Sequence, residues 1–436
     1  MGRRDARIGQ RRGRRGRRPG RRRRAAACAL GLVLGAAPLS AEELYEAPGA
    51  LRARELLPPE LREGPCHRVA DVVSTDGLLR VYAVETEFGR FEARGEDVLR
   101  ARIREAEALV ALRDARRMPA FAAAEKQAGP SPFVSGRRLG GGTIRMRPQS
   151  SAGAGVLLPG LPGADAAGGD FLGQLVAFQA RKREIAAALG VDPYCDNAPL
   201  QEALDRHAWA VQAGGAPLPS AAPDASATPV LSDGGAARSE RAGEMLRDYS
   251  AEDLERLNRI ELAVMGVPEP LREQFIANPA YSPSHETVLV EALAALEGTE
   301  DRVAFIEAAV AAQSGDEAQD YQRMAELMRR YADRAGGLER IERVEGGVAA
   351  RAQDGTLVVP VRADHALWTQ RMASLAESVA REMGGDRDAA RARIVFSGSV
   401  SPMAREHLEN LGMSVAEDAM DAPPSEPDGA ESGASP

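Results

Sequence analysis

Three serines near the carboxyl-terminal end are the residues whose types and spacing best suit ligand binding. Ser397, Ser399 and Ser401 alternate with a glycine and a valine, between a predicted strand and a predicted helix. Hydroxyl groups and the free N–H groups at the start of a helix can hold an anion. We therefore consider the three serines candidate anion-binding residues. The alternative is ordinary loop chemistry, in which Ser401 caps the helix ahead of Pro402.

Two cysteines remain once the amino-terminal leader described below is removed. Cys66 precedes the first predicted sheet, and Cys195 lies just before a predicted helix. An even number of cysteines in an oxidising compartment is compatible with a disulfide. It would close a loop of about 130 residues, for which the chain-entropy model allows roughly 4–5 kcal/mol. The alternatives are two separate structural cysteines, or a Cys195 nucleophile that pairs with His207 or His67.

The common catalytic and metal-binding motifs are missing from the sequence. It contains no His-Glu-x-x-His, Gly-x-Ser-x-Gly or paired Cys-x-x-Cys pattern. The five histidines are spread along the chain without ligand spacing; His207 fits a hydrogen-bonded core position and His365 the start of a helix. The sequence therefore identifies no catalytic residue, and we expect neither a metal nor a cofactor. Whether the chain is an enzyme stays open, because catalytic groups can assemble from distant positions.

The middle of the chain, residues 238–335, has the apolar spacing of packed helices. Start signals at Ser282-Pro283, Thr299 and Ser314 predict three successive helices, the last with a capping box. Apolar residues at helical spacing predict a further helical pair over residues 171–213. These helices suggest a core, and nothing in them suggests chemistry.

A small module with strands precedes the helices. Alternating residues up to Phe88 predict a strand, and Gly89-Arg90 suits a two-residue turn that sets Phe88 opposite Phe91. A helix with acidic residues at its start follows. We therefore predict a strand–turn–strand–helix module over residues 42–127.

In the carboxyl-terminal part, strands alternate with helices. Asp354-Gly355 between two apolar runs predicts a hairpin. A helix from about residue 364 to residue 383 and short strands around the helix that starts at Ser401 follow. This pattern predicts a small α/β module over residues 338–418.

Segments of biased composition separate these parts. Residues 128–170 and 214–237 have the Gly, Pro, Ser and Ala content of linkers, and residues 419–436 have the composition of a disordered tail. The predicted fold class is α+β and predominantly helical. A helical middle region is flanked by a small amino-terminal hairpin–helix module and a carboxyl-terminal α/β module.

The first 41 residues have the pattern of a secretory signal peptide. Residues 1–24 contain thirteen arginines and one acid, residues 25–37 are apolar and uncharged, and Ala41 supplies a small residue for cleavage. As a helix the apolar run would span only about 20 Å, whereas a bilayer core needs about 30 Å. We predict cleavage after Ala41, no permanent membrane anchor, and a periplasmic or secreted location.

Removal of the leader leaves a strongly acidic chain. The formal net charge of −8 minus the +12 of the leader gives −20. Such a chain is repelled by polyanions, so nucleic acid is not an expected partner. We expect an exported, soluble, non-catalytic interaction or assembly protein of the bacterial cell envelope, with protein partners.

The alternative function is a periplasmic hydrolase with a site at the loops of the carboxyl-terminal α/β module. The two functions require different surfaces. A deep pocket with converging titratable groups would favour the hydrolase. An exposed apolar patch would favour the interaction protein.

Overall fold

A computed structural model describes residues 45–131, 168–218, 240–383 and 391–420, apart from Pro48 and Gly346. The predicted leader, the predicted tail from residue 421 onward and most of both predicted linkers lie outside these residues. The described part is a mixed α+β fold with more helix than strand, which confirms the predicted fold class. No helix in these ranges is both long enough and apolar enough to cross a bilayer.

The amino-terminal part is an antiparallel sheet on which a long helix packs. β4 pairs with β5 and also with β2 and β3, and α3 buries Leu99 and Ile103 in the same apolar cluster as Tyr82 of β4. The elements are β1 (Leu51–Arg52), α1 (Ala53–Leu56), α2 (Pro59–Arg62), β2 (His67–Val69), β3 (Val72–Thr75), β4 (Arg80–Thr86), β5 (Gly89–Arg94), α3 (Glu96–Arg116) and α4 (Pro119–Ala128).

The hairpin between β4 and β5 turns two residues earlier than predicted. Thr86 pairs with Gly89, so Glu87 and Phe88 form the turn and the predicted turn at Gly89-Arg90 is wrong. The Thr86 hydroxyl accepts from Phe88 N and donates to the carbonyl of Gly89, and these bonds close the earlier turn.

Eight helices make up the described middle region. α10 is the most buried of them and packs between α8 and α12, so it carries the centre of the apolar core. The elements are α5 (Gly168–Ala188), α6 (Ala198–Gly214), α7 (Glu240–Asp248), α8 (Ala251–Val264), α9 (Glu269–Ile276), α10 (Pro283–Ala294), α11 (Arg302–Ala309) and α12 (Gly315–Ala335).

Two of the three predicted helix caps in this region are confirmed. Ser282 caps α10 and Ser314 caps α12, each by accepting a backbone N–H. Thr299 does not cap α11, because Asp301 directly precedes that helix. The Thr299 hydroxyl instead donates to the Leu338 carbonyl, and so joins the helices to the next sheet.

The carboxyl-terminal part is a five-stranded sheet in the order β12-β10-β8-β7-β6, with β8, β10 and β12 parallel. β9 and β11 form a second, two-stranded parallel sheet. The predicted hairpin around Asp354-Gly355 is confirmed. β6 was missed because its buried residues Leu338, Ile341 and Val344 recur every third position, across a register shift, and do not alternate. The elements are β6 (Leu338–Val344), β7 (Gly347–Ala352), β8 (Leu357–Val361), β9 (His365–Ala366), α13 (Gln370–Glu382), β10 (Ala392–Phe396), β11 (Ser399–Val400), α14 (Pro402–Asn410) and β12 (Met413–Ala416).

The helix expected to begin near Asp364 begins at Gln370, with Thr369 as its cap. The backbone N–H groups of Asp364 and His365 both donate to the carbonyl of Leu78, in the loop before β4. Because the amino-terminal part holds this segment extended, His365 lies on a strand and not at a helix start.

Candidate functional site

The three candidate serines lie in one corner of the carboxyl-terminal part, where β9 and β11 run side by side ahead of α14. We call residues 363–369 and 397–401 the serine corner. Gly398 allows the two segments to approach closely, because a Cβ atom at this position would lie 2.5 Å from the Asp364 carbonyl oxygen. The glycine between the serines is therefore explained by packing.

Two of the serines bind the segment that faces them. The Ser397 hydroxyl accepts from Ala363 N and donates to Ala363 O, both at 2.8 Å. The Ser399 hydroxyl lies 2.8 Å from His365 Nδ1 and 3.3 Å from Asp364 O. Ser397 therefore joins the two segments, while Ser399 is placed beside an imidazole.

The surroundings of the His365 imidazole favour its neutral form. Burial lowers its pKa and the positive charge of Arg80 lowers it further, while the carboxylates of Glu46 and Glu417 act in the opposite direction. A neutral imidazole is the form that could accept a proton from the Ser399 hydroxyl. The lowered pKa therefore favours the form of His365 that a serine hydrolase needs.

The third serine, Ser401, binds a carboxylate of the amino-terminal segment. Its hydroxyl accepts from Ala404 N at 3.0 Å, which caps α14, and donates to Glu46 Oε2. Trp368 N donates to the same oxygen, and Glu46 N donates to Trp368 O at 2.9 Å. These groups already hold an anionic side chain, and it belongs to the same chain.

A second carboxylate, that of Glu417, binds the adjacent part of the corner. It accepts from Val400 N at 2.5 Å and forms an ion pair with Arg405. An added anion would have to displace Glu46 or Glu417 to reach these donors. Binding of an external anion at Ser397, Ser399 and Ser401 therefore stays a prediction.

Sequence reasoning missed Glu46, Trp368 and Glu417 as members of this corner. Glu46 and Trp368 are 322 positions apart in the chain, and no local pattern connects them. Trp368 also stacks on His407 of α14, with ring centroids 4.5 Å apart. A lone tryptophan was the only signal available, and a tryptophan by itself is as typical of a buried core as of a binding site.

The two cysteines are free thiols in the structure. Burial, followed by nearby acidic side chains, raises the pKa of both the Cys66 and the Cys195 thiol. A protonated thiol is a poor nucleophile. His207, the proposed partner of Cys195, is buried and bonds to the carbonyl of Ala203 at 2.9 Å, as the core interpretation predicted.

The structure contains Cys66 and Cys195 as unbonded thiols, and a disulfide between them in the exported protein, in an oxidising compartment, stays a prediction. Counting reactive thiols on the denatured, unreduced mature protein tests it directly. A disulfide leaves no reactive thiol, whereas separate cysteines leave both.

Behind the serine corner, buried ion pairs join the three parts of the chain. Arg362 donates to Asp97 Oδ1 at 2.9 Å and to Asp320 Oδ1 at 2.8 Å. Arg323 donates to Asp97 Oδ2 at 3.0 Å and to Glu326 Oε2 at 2.8 Å. Both arginine side chains are only 4% exposed. We call these five residues the ionic junction.

Asp97 stays ionised within the ionic junction in spite of its burial. Burial alone would raise the pKa of Asp97, but the charges of Arg362 and Arg323 outweigh it and hold that pKa well below its usual range. Gly95, with φ of 105°, makes room for the junction, because a Cβ atom there would lie 2.9 Å from Arg362 Nη2. The junction therefore fixes α3 and α12 against the end of β8.

Asp364 connects the ionic junction to the serine corner. Its carboxylate accepts from Arg80 N at 2.9 Å and from Glu96 N at 3.1 Å. Burial raises the pKa of this carboxyl to about 6 in spite of the two hydrogen bonds, and the negative charge of Asp97 contributes to the rise. The folded protein therefore binds a proton here more tightly than the unfolded chain does.

This raised pKa predicts a contribution to stability that increases as the pH falls from about 7.5 to about 5, by about 1–1.5 kcal/mol. We expect urea unfolding to show that, over this pH range, the free energy of unfolding of the wild type increases by this amount relative to that of Asp364→Asn. Histidines with lowered pKa values act in the opposite direction, but they are common to both proteins and cancel in the comparison. The same pH dependence in both proteins would contradict the prediction.

The open cavity between α11 and β6, of about 540 Å³, does not overlap the serine corner. Five charged residues line it, and four of them form two ion pairs: Arg340 with Glu342 at 3.3 Å and Arg343 with Glu307 at 4.0 Å. Such pairs are typical of a solvated surface. Across the described ranges, no three His, Cys, Asp or Glu side chains are arranged to hold a metal ion.

Comparison with known proteins does not add a relative. No protein-family model matches the sequence, and no curated protein or solved structure is similar to it. The function must therefore be argued from the geometry of the site.

Proposed function

We propose that the chain is an exported, non-catalytic interaction or assembly protein of the bacterial cell envelope. The observation that carries this proposal is the pairing of the donors in the serine corner. Ser401 Oγ and Trp368 N point at Glu46, and Val400 N points at Glu417. A hydrolase would need such donors for a developing oxyanion, and here they are bound to carboxylates.

An apolar ridge on α8 supports an interaction function. Ile260 is 53% exposed and Val264 is 74% exposed. Residues four positions apart lie on the same face of a helix, so the two exposed side chains are neighbours on α8. Exposed aliphatic neighbours of this kind favour a protein contact.

In-cell photo-crosslinking tests the interaction proposal. With a photoreactive residue at position 264, we expect a discrete adduct in the envelope fraction, and we expect Ile260→Glu to abolish it by placing a charge in the contact. A photoreactive residue at Arg90, exposed on the hairpin strand β5, serves as the control and should give no adduct. An adduct that survives Ile260→Glu, or none at all, would contradict the proposal.

The export part of the proposal rests on the arginine-rich start, the apolar run and Ala41. We expect amino-terminal sequencing of the mature protein from cells to begin at Glu42, because signal peptidase cleaves after small residues. The mature protein should fractionate with the periplasm or the medium. A chain that retains the arginines would contradict export and reopen nucleic acid as a partner.

The Ser399–His365 pair favours a hydrolase as the second candidate. In that function Ser399 would be the nucleophile and His365 the base, with the two atoms 2.8 Å apart. If the chain is not a hydrolase, wild type and Ser399→Ala should hydrolyse p-nitrophenyl acetate at the same background rate. Ser397→Ala is the matched control, because that hydroxyl bonds only to Ala363. A rate lost in Ser399→Ala and kept in Ser397→Ala would establish the hydrolase instead.

A further inference from the structure

Residues Tyr45 and Glu46, which we call the arm, are seated in the serine corner although they belong to the other end of the chain. Glu46 makes three hydrogen bonds there, two through its carboxylate and one through its backbone N–H. Tyr45 packs against the apolar cluster of the carboxyl-terminal part, the cluster that contains Trp368 and Val400. The arm is held by side chain and main chain together.

The contacts define what the corner recognises. The backbone carbonyl of Trp368 accepts from Glu46 N, and the backbone N–H of Trp368 donates to the Glu46 carboxylate. Ser401, only 2% exposed, adds a second donor to the same oxygen. Hydrogen bonds to a charged acceptor are stronger than neutral ones. The apolar cluster beside these donors accepts the aromatic side chain of the residue that precedes the acidic one.

We propose that the serine corner is a binding site for an extended peptide segment in which an aromatic residue precedes an acidic one, and that the arm occupies it as a displaceable intramolecular ligand. The use of this site to bind a partner rests on the proposed interaction function. The recognition chemistry does not rest on the proposed function, because it follows from the hydrogen bonds of Trp368 and Ser401 alone.

Occupation by the arm regulates access to the site. A tethered ligand acts at an effective concentration of about millimolar, so a free segment of the same affinity competes poorly with it. Release of the arm makes the corner available. The arm is joined to β1 by a few residues that include Gly49 and Ala50, which are exposed.

The experiment uses the full mature chain and the labelled, end-blocked peptide Glu-Glu-Leu-Tyr-Glu-Ala, which copies residues 42–47. In the variant Tyr45→Ala/Glu46→Gln the arm loses its anchors and the corner opens. We expect fluorescence anisotropy to show saturable binding to this variant, at least about tenfold tighter than to wild type. A peptide with glutamine in place of its second-last residue should bind about tenfold more weakly or worse, since it loses a charged acceptor.

Ser401→Asp in the arm variant locates the site. Aspartate still caps α14, but it replaces a donor with a negative charge that repels the peptide carboxylate. Ser314→Asp is the matched control, because it makes the same change at the exposed cap of α12. We expect the first substitution to abolish binding and the second to leave it unchanged, with circular dichroism confirming that both variants fold.

The inference would be overturned by equal peptide binding by wild type and the arm variant, or by binding that Ser401→Asp leaves intact. Failure to bind at all would overturn it as well. Each of these results leaves the crosslink at position 264 unaffected, so failure of this inference and failure of the proposed function are distinguishable.

Discussion

Replacing Arg362 with methionine is expected to lower the free energy of unfolding by about 3–5 kcal/mol, the largest effect expected of any substitution considered for this protein. Arg362 neutralises Asp97 and Asp320 where its own side chain is 4% exposed. Methionine fills a similar volume but leaves Asp320 with only the longer bond to Arg94, at 3.3 Å. Asp97, 14% exposed, and Asp320, 28% exposed, would then have too little positive charge beside them, which is more costly than losing an exposed ion pair.

Arg52→Met is the control for this prediction. Arg52 pairs with Asp71 at 3.3 Å, but both side chains are more than 40% exposed, so the change should cost less than about 1 kcal/mol. Denaturant unfolding of both variants measures the contrast. A double-mutant cycle of Arg362→Met with Asp97→Asn should show a coupling of about 1 kcal/mol or more. An Arg362→Met variant as stable as Arg52→Met would show that the ionic junction does not hold the parts together.

The second large effect is expected at Gly398. A Cβ atom there would lie 2.5 Å from Asp364 O and 2.6 Å from Ala363 O. Both are backbone atoms, so alanine would force the two segments of the serine corner apart, at a cost of about 1–3 kcal/mol. The Ser397 bonds to Ala363 should weaken with it, and peptide binding by the arm variant should be lost.

Gly243→Ala is the matched control, because Gly243 lies inside α7 and a Cβ atom there would have open space around it. Alanine should stabilise that helix by up to about 1 kcal/mol. Thermal unfolding should therefore move in opposite directions in the two variants. A Gly398→Ala variant that melts at the wild-type temperature would contradict the close approach of Gly398 to Ala363 and Asp364.

Most of the helices and the β7–β8 hairpin could be predicted from sequence, because their determinants are local. Ser282, Ser314 and Asn197 each satisfy a backbone N–H within three residues, and a cap of this kind is readable from the sequence. The β7–β8 hairpin was predicted from its Asp354-Gly355 turn for the same reason. The turn after β4 was placed wrongly, since the Thr86 side chain, a weaker signal than Gly89-Arg90, decides it.

The site could be predicted only in part. The three serines were identified as candidates, and they do lie together, but what each one binds depends on residues far away in the chain. Ser401 meets Glu46 across 355 positions, and Ser399 meets His365 across 34. Periodicity and turn chemistry reach only a few residues, so neither partner could be chosen from the sequence.

By itself, the sequence determined where helices with a side-chain cap such as Ser282 or Ser314 start, and the balance of helix over strand. Only the tertiary structure decided which charges are buried. Arg323 and Arg330 both lie on α12 and look alike in sequence, yet Arg323 is buried against Asp97 while Arg330 is half-buried. The free energy of a charge depends on which elements exclude water from it and which opposite charge they bring near. That information belongs to the packing of distant segments, and it places the ionic junction and the arm where no local pattern could.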